Sequence, residues 1–148
     1  LLHAPLHADT EADRDLLKAM KSVRQVLDRA RAANVALVGI GAVVDPGSTY
    51  YQAHPEMTQE REALYDAGVR GEFLGHLIDS AGRPSAQGYN ARLVALEPRE
   101  IARVPISIAV ATGIEKAEPI RAAIGGGYFN TFVTDETTAR AVLEKETE

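Results

Sequence analysis

The densest chemistry in this 148-residue chain lies in ATGIEKA, residues 111 to 117, where a buried apolar run gives way to a helical one. Backbone N–H groups of Thr112, Gly113 and Ile114, the Thr112 hydroxyl and the positive helix terminus form a cradle suited to an anion such as phosphate. Lys116 sharpens this reading, because a cation in the first helical turn opposes the helix dipole unless a negative partner compensates it. The alternative is that Lys116 points to water beside Glu115 and Glu118. A second candidate is VGIGAVVDPGS, residues 38 to 48, with Gly39 and Gly41 at a strand's C-terminal end, where open α/β sheets place their ligands. It is not the dinucleotide fingerprint GxGxxG, since Val44 stands at the third glycine position. Its glycines serve tight backbone passage or ligand contact, and Asp45 and Ser48 belong to an ordinary turn or touch a hydroxyl-rich ligand. A third set, Asp79, Asn90 and Arg92, flanks a turn at Gly82 and Pro84 and can bind sugar hydroxyls or tie its own loop together. His76, inside FLGHLID, is an interior histidine or a group lining a pocket. No Ser, His and acid set appears, nor a GxSxG elbow.

Positioning these residues requires alternating strands and helices. Residues 22 to 33 put Val23, Val26, Leu27 and Ala30 on one stripe, with Ser22 and Gln25 spaced as a capping box, and so predict a helix. VALVGIG, residues 35 to 41, is a continuous apolar run that predicts a central parallel strand buried on both faces. The pattern returns as a strand over 105 to 111, a helix over 115 to 124, a strand over 128 to 134 and a last helix over 135 to 146. Asp135 is its expected N-cap, and Gly125 to Gly127 the preceding helix stop. Between these blocks come a polar loop, DPGSTYYQAHPEM, a short helix over 59 to 67, and a strand over 70 to 79 that leaves through the Gly82 turn. RLVAL, residues 92 to 96, predicts another strand, and Pro98 suits the first turn of a brief helix. At the front, HAPL predicts a short strand. Asp9 to Met20 predicts an amphipathic helix with Leu16, Leu17 and Met20 inward. The expected class is α/β: a three-layer α/β/α sandwich around a mostly parallel, Rossmann-like sheet, with too few strands for a complete doubly wound fold.

Composition narrows the function. Sixteen Lys and Arg against 21 Asp and Glu leave a net charge of −5, so the chain lacks the basic face that nucleic acid or an anionic membrane demands. With no Cys, and with His3, His7, His54 and His76 not spaced as a zinc motif, neither a disulfide frame nor a metal site is expected, and no cofactor is implied. No apolar run approaches a membrane span. Leu1 follows no initiator Met and begins no basic-then-apolar leader, which reads as a piece of a longer cytoplasmic protein.

Several segments together resemble one family. They are VALVGIG at 35 to 41, RGEFLGHLIDSAGRP at 70 to 84, YNARLVAL at 89 to 96 and ATGIEKAEPIRAAIGGGYFNTFVTDETTARAVL at 111 to 143. In order and spacing they resemble the C-terminal effector-binding, or sugar-binding, domain of SorC/DeoR-type bacterial transcriptional regulators. That family's fold is similar to the ribose-5-phosphate isomerase and glucosamine-6-phosphate deaminase group. The resemblance implies a sensor of a sugar or phosphosugar effector that modulates operator binding by a separate N-terminal helix-turn-helix domain absent from residues 1–148. It also implies a homo-oligomer. Lys116 would approach the effector's phosphate, with Thr112 and Gly113 beside it. Asp79, Asn90 and Arg92 would be pocket or pocket-supporting positions, and Gly39 and Gly41 the glycine-containing strand end. His76 stands where the family often has Arg, which would weaken a second contact to an anionic effector. A sugar-phosphate isomerase or amino-sugar-phosphate deaminase on the same fold is the alternative. It would need a carboxylate or His base near the carbon acid, and DPGSTYYQ replaces the deaminase-like acid and histidine cluster there.

Overall fold

The computed structural model describes residues 1–43 and 60–144. Two helices lead in: α1 (Glu11–Ala19), capped by the Thr10 hydroxyl accepting from the Asp13 amide, and α2 (Lys21–Arg31). The Ser22/Gln25 box is not used, because the N-cap is Met20, two residues before Ser22, with no side-chain cap. Val23 and Leu27 of α2 are buried with Ala8, Val94, Leu96 and Ile101. Leu16 and Met20 do not face inward as expected: both are exposed, and only Leu17 reaches this cluster.

The chain then enters β1 (Val35–Gly39), which pairs in parallel with β5 (Ile106–Val110), itself parallel to β6 (Thr131–Val133). The expected single strand over 35 to 41 divides at Ile40. Gly41 and Ala42 form β2, the edge of a second, antiparallel sheet with β3 (Val69–Phe73) and β4 (His76–Asp79). The expected single strand over 70 to 79 is therefore a hairpin, turned by Leu74 and Gly75 at φ 51° and 81°. Both central residues lie at positive φ, as a tight two-residue hairpin requires. RLVAL forms no strand; Leu93 makes an isolated antiparallel bridge to His7, just past HAPL, and HAPL itself forms no strand.

Short helices fill the connections: α3 (Arg61–Asp66), α4 (Gln87–Asn90) and α5 (Pro98–Ile101). Pro98 stands at the start of α5, and Glu97 and Glu100 close a reciprocal capping box. A 3₁₀ turn (Ile114–Lys116) leads into α6 (Ala117–Gly125), and α7 (Glu136–Leu143) closes the described chain. Asp135 caps α7 by accepting from the Thr138 amide, as the spacing indicates, and α6 ends at the expected glycines, with Gly127 at φ 69°. Val44, Asp45, Ser48, the DPGSTYYQAHPEM loop, His54 and the expected end of the last helix lie outside the described residues.

The class is α/β, and the core explains the order of elements. α6 packs on the second sheet, where Ile120, Ala122 and Ala123 join Phe73, Ile78, Val38 and Ala109 in one cluster with Tyr128. Each fully buried large apolar side chain here contributes about 1.5–3 kcal/mol. Close approach of α6 to β3 depends on Gly71, since a Cβ there would stand 2.5 Å from Cβ of Pro119. The parallel sheet is not buried on both faces within the described residues. Val35 is 52% and Leu37 70% exposed, and Ile106 and Val133 share that face in register. The continuous apolar run thus reported a sheet with a second apolar face, of which only one is covered here.

Gly82 supports the lower end of α6. It has φ 76°, its carbonyl accepts from the Tyr128 hydroxyl at 2.7 Å, and a Cβ would strike the Ala122 carbonyl. Gly82→Ala should therefore cost on the order of 2–3 kcal/mol in urea unfolding, whereas Gly88→Ala, with open space around it, should cost under about 1 kcal/mol.

Candidate functional site

The parallel register of β1 and β5 sets Gly39 opposite Val110, so the two strands end side by side. From these ends run Ile40–Gly41 on one side and Ala111–Thr112–Gly113 on the other. This is the crevice at the carboxyl edge of a parallel sheet, where α/β proteins bind ligands. Gly39, Gly41, Thr112, Gly113 and Lys116 are brought to this one edge.

Thr112 is exposed, Lys116 half-buried, and Gly113 has φ 115°, a conformation that demands glycine. Not every expected donor is open. The Gly113 amide is already used: it donates to the Thr138 hydroxyl at 2.8 Å, and that hydroxyl donates to Asp135 at 2.6 Å. The donors that remain for an anion are the Ile114 and Glu115 amides, at the start of the 3₁₀ turn, and Thr112. The Glu115 carboxylate folds back over Gly113, and a Cβ at Gly113 would collide with it. Glu118, which could have neutralised Lys116, is taken by Arg70 at 2.8 Å. Among the described residues Lys116 makes no ion pair, and the charge that faces it is Glu72.

Glu72 is the site residue that sequence reasoning missed. On β3 it pairs across to Gly41, and its carboxylate occupies the space where a Gly41 Cβ would be. Its second oxygen accepts from the Gly75 amide at 3.2 Å. Burial pushes this carboxyl up to about 7, while the Gly75 amide and the field of Lys116 restrain the rise. The signal available was the alternation in VRGEF: Val69, Gly71 and Phe73 point to the core, which puts Arg70 and Glu72 on the other face.

The remaining polar candidates are placed elsewhere. Asp79 accepts from the Ala81 and Arg83 amides and pairs with the Arg83 guanidinium at 2.9 Å. Desolvation raises its pKa, but the Arg83 amide and guanidinium and the Ala81 amide outweigh it and leave the carboxyl below its usual range. Asn90 is buried and spends its amide on β4, accepting from the Leu77 amide and donating to the Leu77 carbonyl, both at 2.9 Å. Arg92 donates to the Gly88 carbonyl at 2.9 Å and lies over the Tyr89 ring. The Asp79 loop abuts the C-terminal end of α6 through Gly82, roughly 13 Å along a nine-residue helix from the cradle. These three residues hold their own loop and are not brought to the strand ends. His76 is 2% exposed, with Nε2 2.8 Å from the Leu96 carbonyl, which makes it an interior residue.

A crevice at the carboxyl edge of a parallel sheet, with Lys116 and the Glu72 carboxyl at it, gives this α/β domain a candidate small-ligand site. Comparison with known proteins makes this specific. A family model described as "Putative sugar-binding domain" matches residues 1–144, and the chain belongs to that family. It is 34% identical over 145 residues to the transcriptional regulator LsrR of Klebsiella pneumoniae and 36% identical to that of Enterobacter sp. strain 638. The match covers 97% of this chain but 45% of each relative, so the chain spans less than half their length. Among solved structures, a DeoR family transcriptional regulator from Listeria monocytogenes superposes with a TM-score of 0.85 at 22% identity, over 95% of this chain and 57% of that one. Full-length sorbitol operon regulator SorC from Klebsiella pneumoniae does so with 0.83 at 24%, over 95% and 45%. These structural likenesses establish the fold.

Two buried titrating groups act in opposite directions on stability. Glu72 is raised from 4.5 to about 7, so the stability it contributes is fully present below pH 4.5 and is lost as pH rises through 7. Burial lowers His76 from 6.5, so its contribution is present above pH 6.5 and is lost on acidification. Glu72→Gln should therefore raise unfolding stability at pH 8 by up to about 3 kcal/mol, with the gain vanishing near pH 4.5. Chemical denaturation across that pH range measures it.

Proposed function

We propose that this chain is the effector-sensing part of a bacterial transcriptional regulator. It binds a sugar or phosphosugar at the joined ends of β1 and β5 and thereby modulates DNA binding by a separate N-terminal domain. The observation that carries this reading is Lys116, a cation without an ion pair among the described residues, set at a helix start beside the Thr112 hydroxyl and the Ile114 and Glu115 amides. Lys116 and the amides receive the anionic group, Gly39 lets the ligand approach the backbone, Gly41 leaves room for the Glu72 carboxylate, and Glu72 faces the ligand's hydroxyls. Asp79, Asn90 and Arg92 act as supporting residues, through the loop they hold. The match to LsrR regulators and to the sugar-binding family supports sensing over the isomerase or deaminase alternative.

The chain further reads as the C-terminal portion of the sensing domain, and the exposed apolar face at Val35, Leu37, Ile106 and Val133 is what the rest of that domain would cover. Operator DNA contact belongs to the helix-turn-helix outside residues 1–148. Homo-oligomerisation and a cytoplasmic location follow from the regulatory role. No helix among the described residues is long and apolar enough to cross a membrane.

Thermal-shift titration of the full-length protein with sugar phosphates and the matching free sugars tests the assignment. Binding at a hundredfold excess over Kd stabilises by about 2.7 kcal/mol, a rise of a few degrees. Lys116→Ala should abolish the rise for the phosphorylated effector and spare any response to its free sugar. If no sugar or sugar phosphate shifts the wild-type transition, the reading fails.

A further inference from the structure

The Gly113 loop is held from α7 by a hydrogen-bonded relay in which Thr138 is buried and Asp135 lies at the surface. Thr138, 0% exposed on the first turn of α7, accepts from the Gly113 N–H at 2.8 Å, and its own hydroxyl donates to Asp135 Oδ2 at 2.6 Å. Asp135 Oδ1 takes the Thr138 amide at 2.9 Å as the α7 N-cap. One carboxylate thus serves two purposes, capping a helix and orienting the hydroxyl that fixes the loop. The chain separation, 25 residues between Gly113 and Thr138, shows that this is a tertiary restraint and no local turn bond.

We infer that Thr138, oriented by Asp135, is a positioning residue for effector binding: it fixes the Gly113 peptide so that the Ile114 and Glu115 amides and Lys116 converge on one anion. The inference rests on the sensing role proposed above. A loop with glycine at φ 115° is otherwise free to rotate, because glycine pays no steric penalty for leaving that conformation. Spending the Gly113 donor on Thr138 removes one expected anion contact and in return fixes the direction of its neighbours. The pair also explains why α7 follows β6 so closely: Asp135 stands two residues beyond Val133, which fits the short link between strand end and helix cap.

Thr138→Val keeps the shape and removes both hydroxyl bonds, and Thr138→Ser restores them. Isothermal titration of the full-length protein with inorganic phosphate and with the sugar phosphate giving the largest thermal shift should show about tenfold or greater weakening in Thr138→Val and near wild-type affinity in Thr138→Ser. The Gly113 amide proton should move upfield in the valine variant and return in the serine variant, a signature that general destabilisation does not produce. Asp135→Asn retains an N-cap but reverses the hydroxyl's partner, and should weaken binding several-fold in a folded protein even if the valine variant does not fold. Wild-type affinity in Thr138→Val, or in Asp135→Asn where valine fails to fold, overturns the positioning role while leaving effector sensing intact. Absence of binding by the wild type overturns the sensing reading and with it this role.

Discussion

Everything at the site depends on the parallel register that sets Gly39 beside Val110. Parallel neighbours cannot be joined by a tight turn, so the chain must travel from β1 to β5 by a long crossover. Here that crossover carries the antiparallel hairpin, α4 and α5, and returns with β3 and β4 packed under α6. The hairpin is thereby fastened to the same strand ends from the other side. Gly41 pairs with Glu72 across β2 and β3, and a carboxyl on the second sheet reaches the crevice of the first. A slip of one residue in the β2–β3 register would turn Glu72 toward the core, and a slip in the β1–β5 register would part the strand ends that form the crevice.

The local signals in the sequence transferred well. The Asp135 cap, the Gly125–Gly127 stop, Pro98 at a helix start and the strand-to-helix passage at residues 111 to 117 each depend on a few neighbouring residues, and the structure shows each of them. Tertiary choices were less legible. The Leu74–Gly75 turn hides because leucine at φ 51° is an unusual turn residue, and only the packing of both flanking strands forces it there. RLVAL has strand composition, yet Leu93 and Val94 are buried beside the lead-in segment and not in a sheet. Apolar content reports burial more directly than it reports ladder formation.

Polar residues divided along the same line. Asp79, Asn90 and His76 look like site residues because of their chemistry, but each has its capacity consumed by backbone groups: two amides for Asp79, both Leu77 groups for Asn90, the Leu96 carbonyl for His76. Burying such side chains without those bonds would cost several kcal/mol each, so their partners are part of the fold's own requirement. Lys116 differs because its neighbouring acid, Glu118, is committed to Arg70, which also lies 3.9 Å over the Tyr65 ring. Sequence spacing alone does not tell which cation Glu118 meets; the position of β3 reveals that Arg70 claims it.

The combination of Glu72 with Lys116 gives the crevice an electrostatic character that neither residue has alone. Burial works against an ionised Glu72, and the Gly75 amide and then the field of Lys116 restrain that effect. An anion arriving at Lys116 competes for that same field, so its arrival favours the protonated carboxyl. A protonated Glu72 both donates and accepts, whereas the carboxylate only accepts. With its ionisation near pH 7, the carboxyl can therefore adjust to the charge of what enters and to the hydroxyl it meets. The chain's net charge of −5 sharpens the point: in an acidic domain, the field of Lys116 at the strand-end crevice runs against the general charge of the surface.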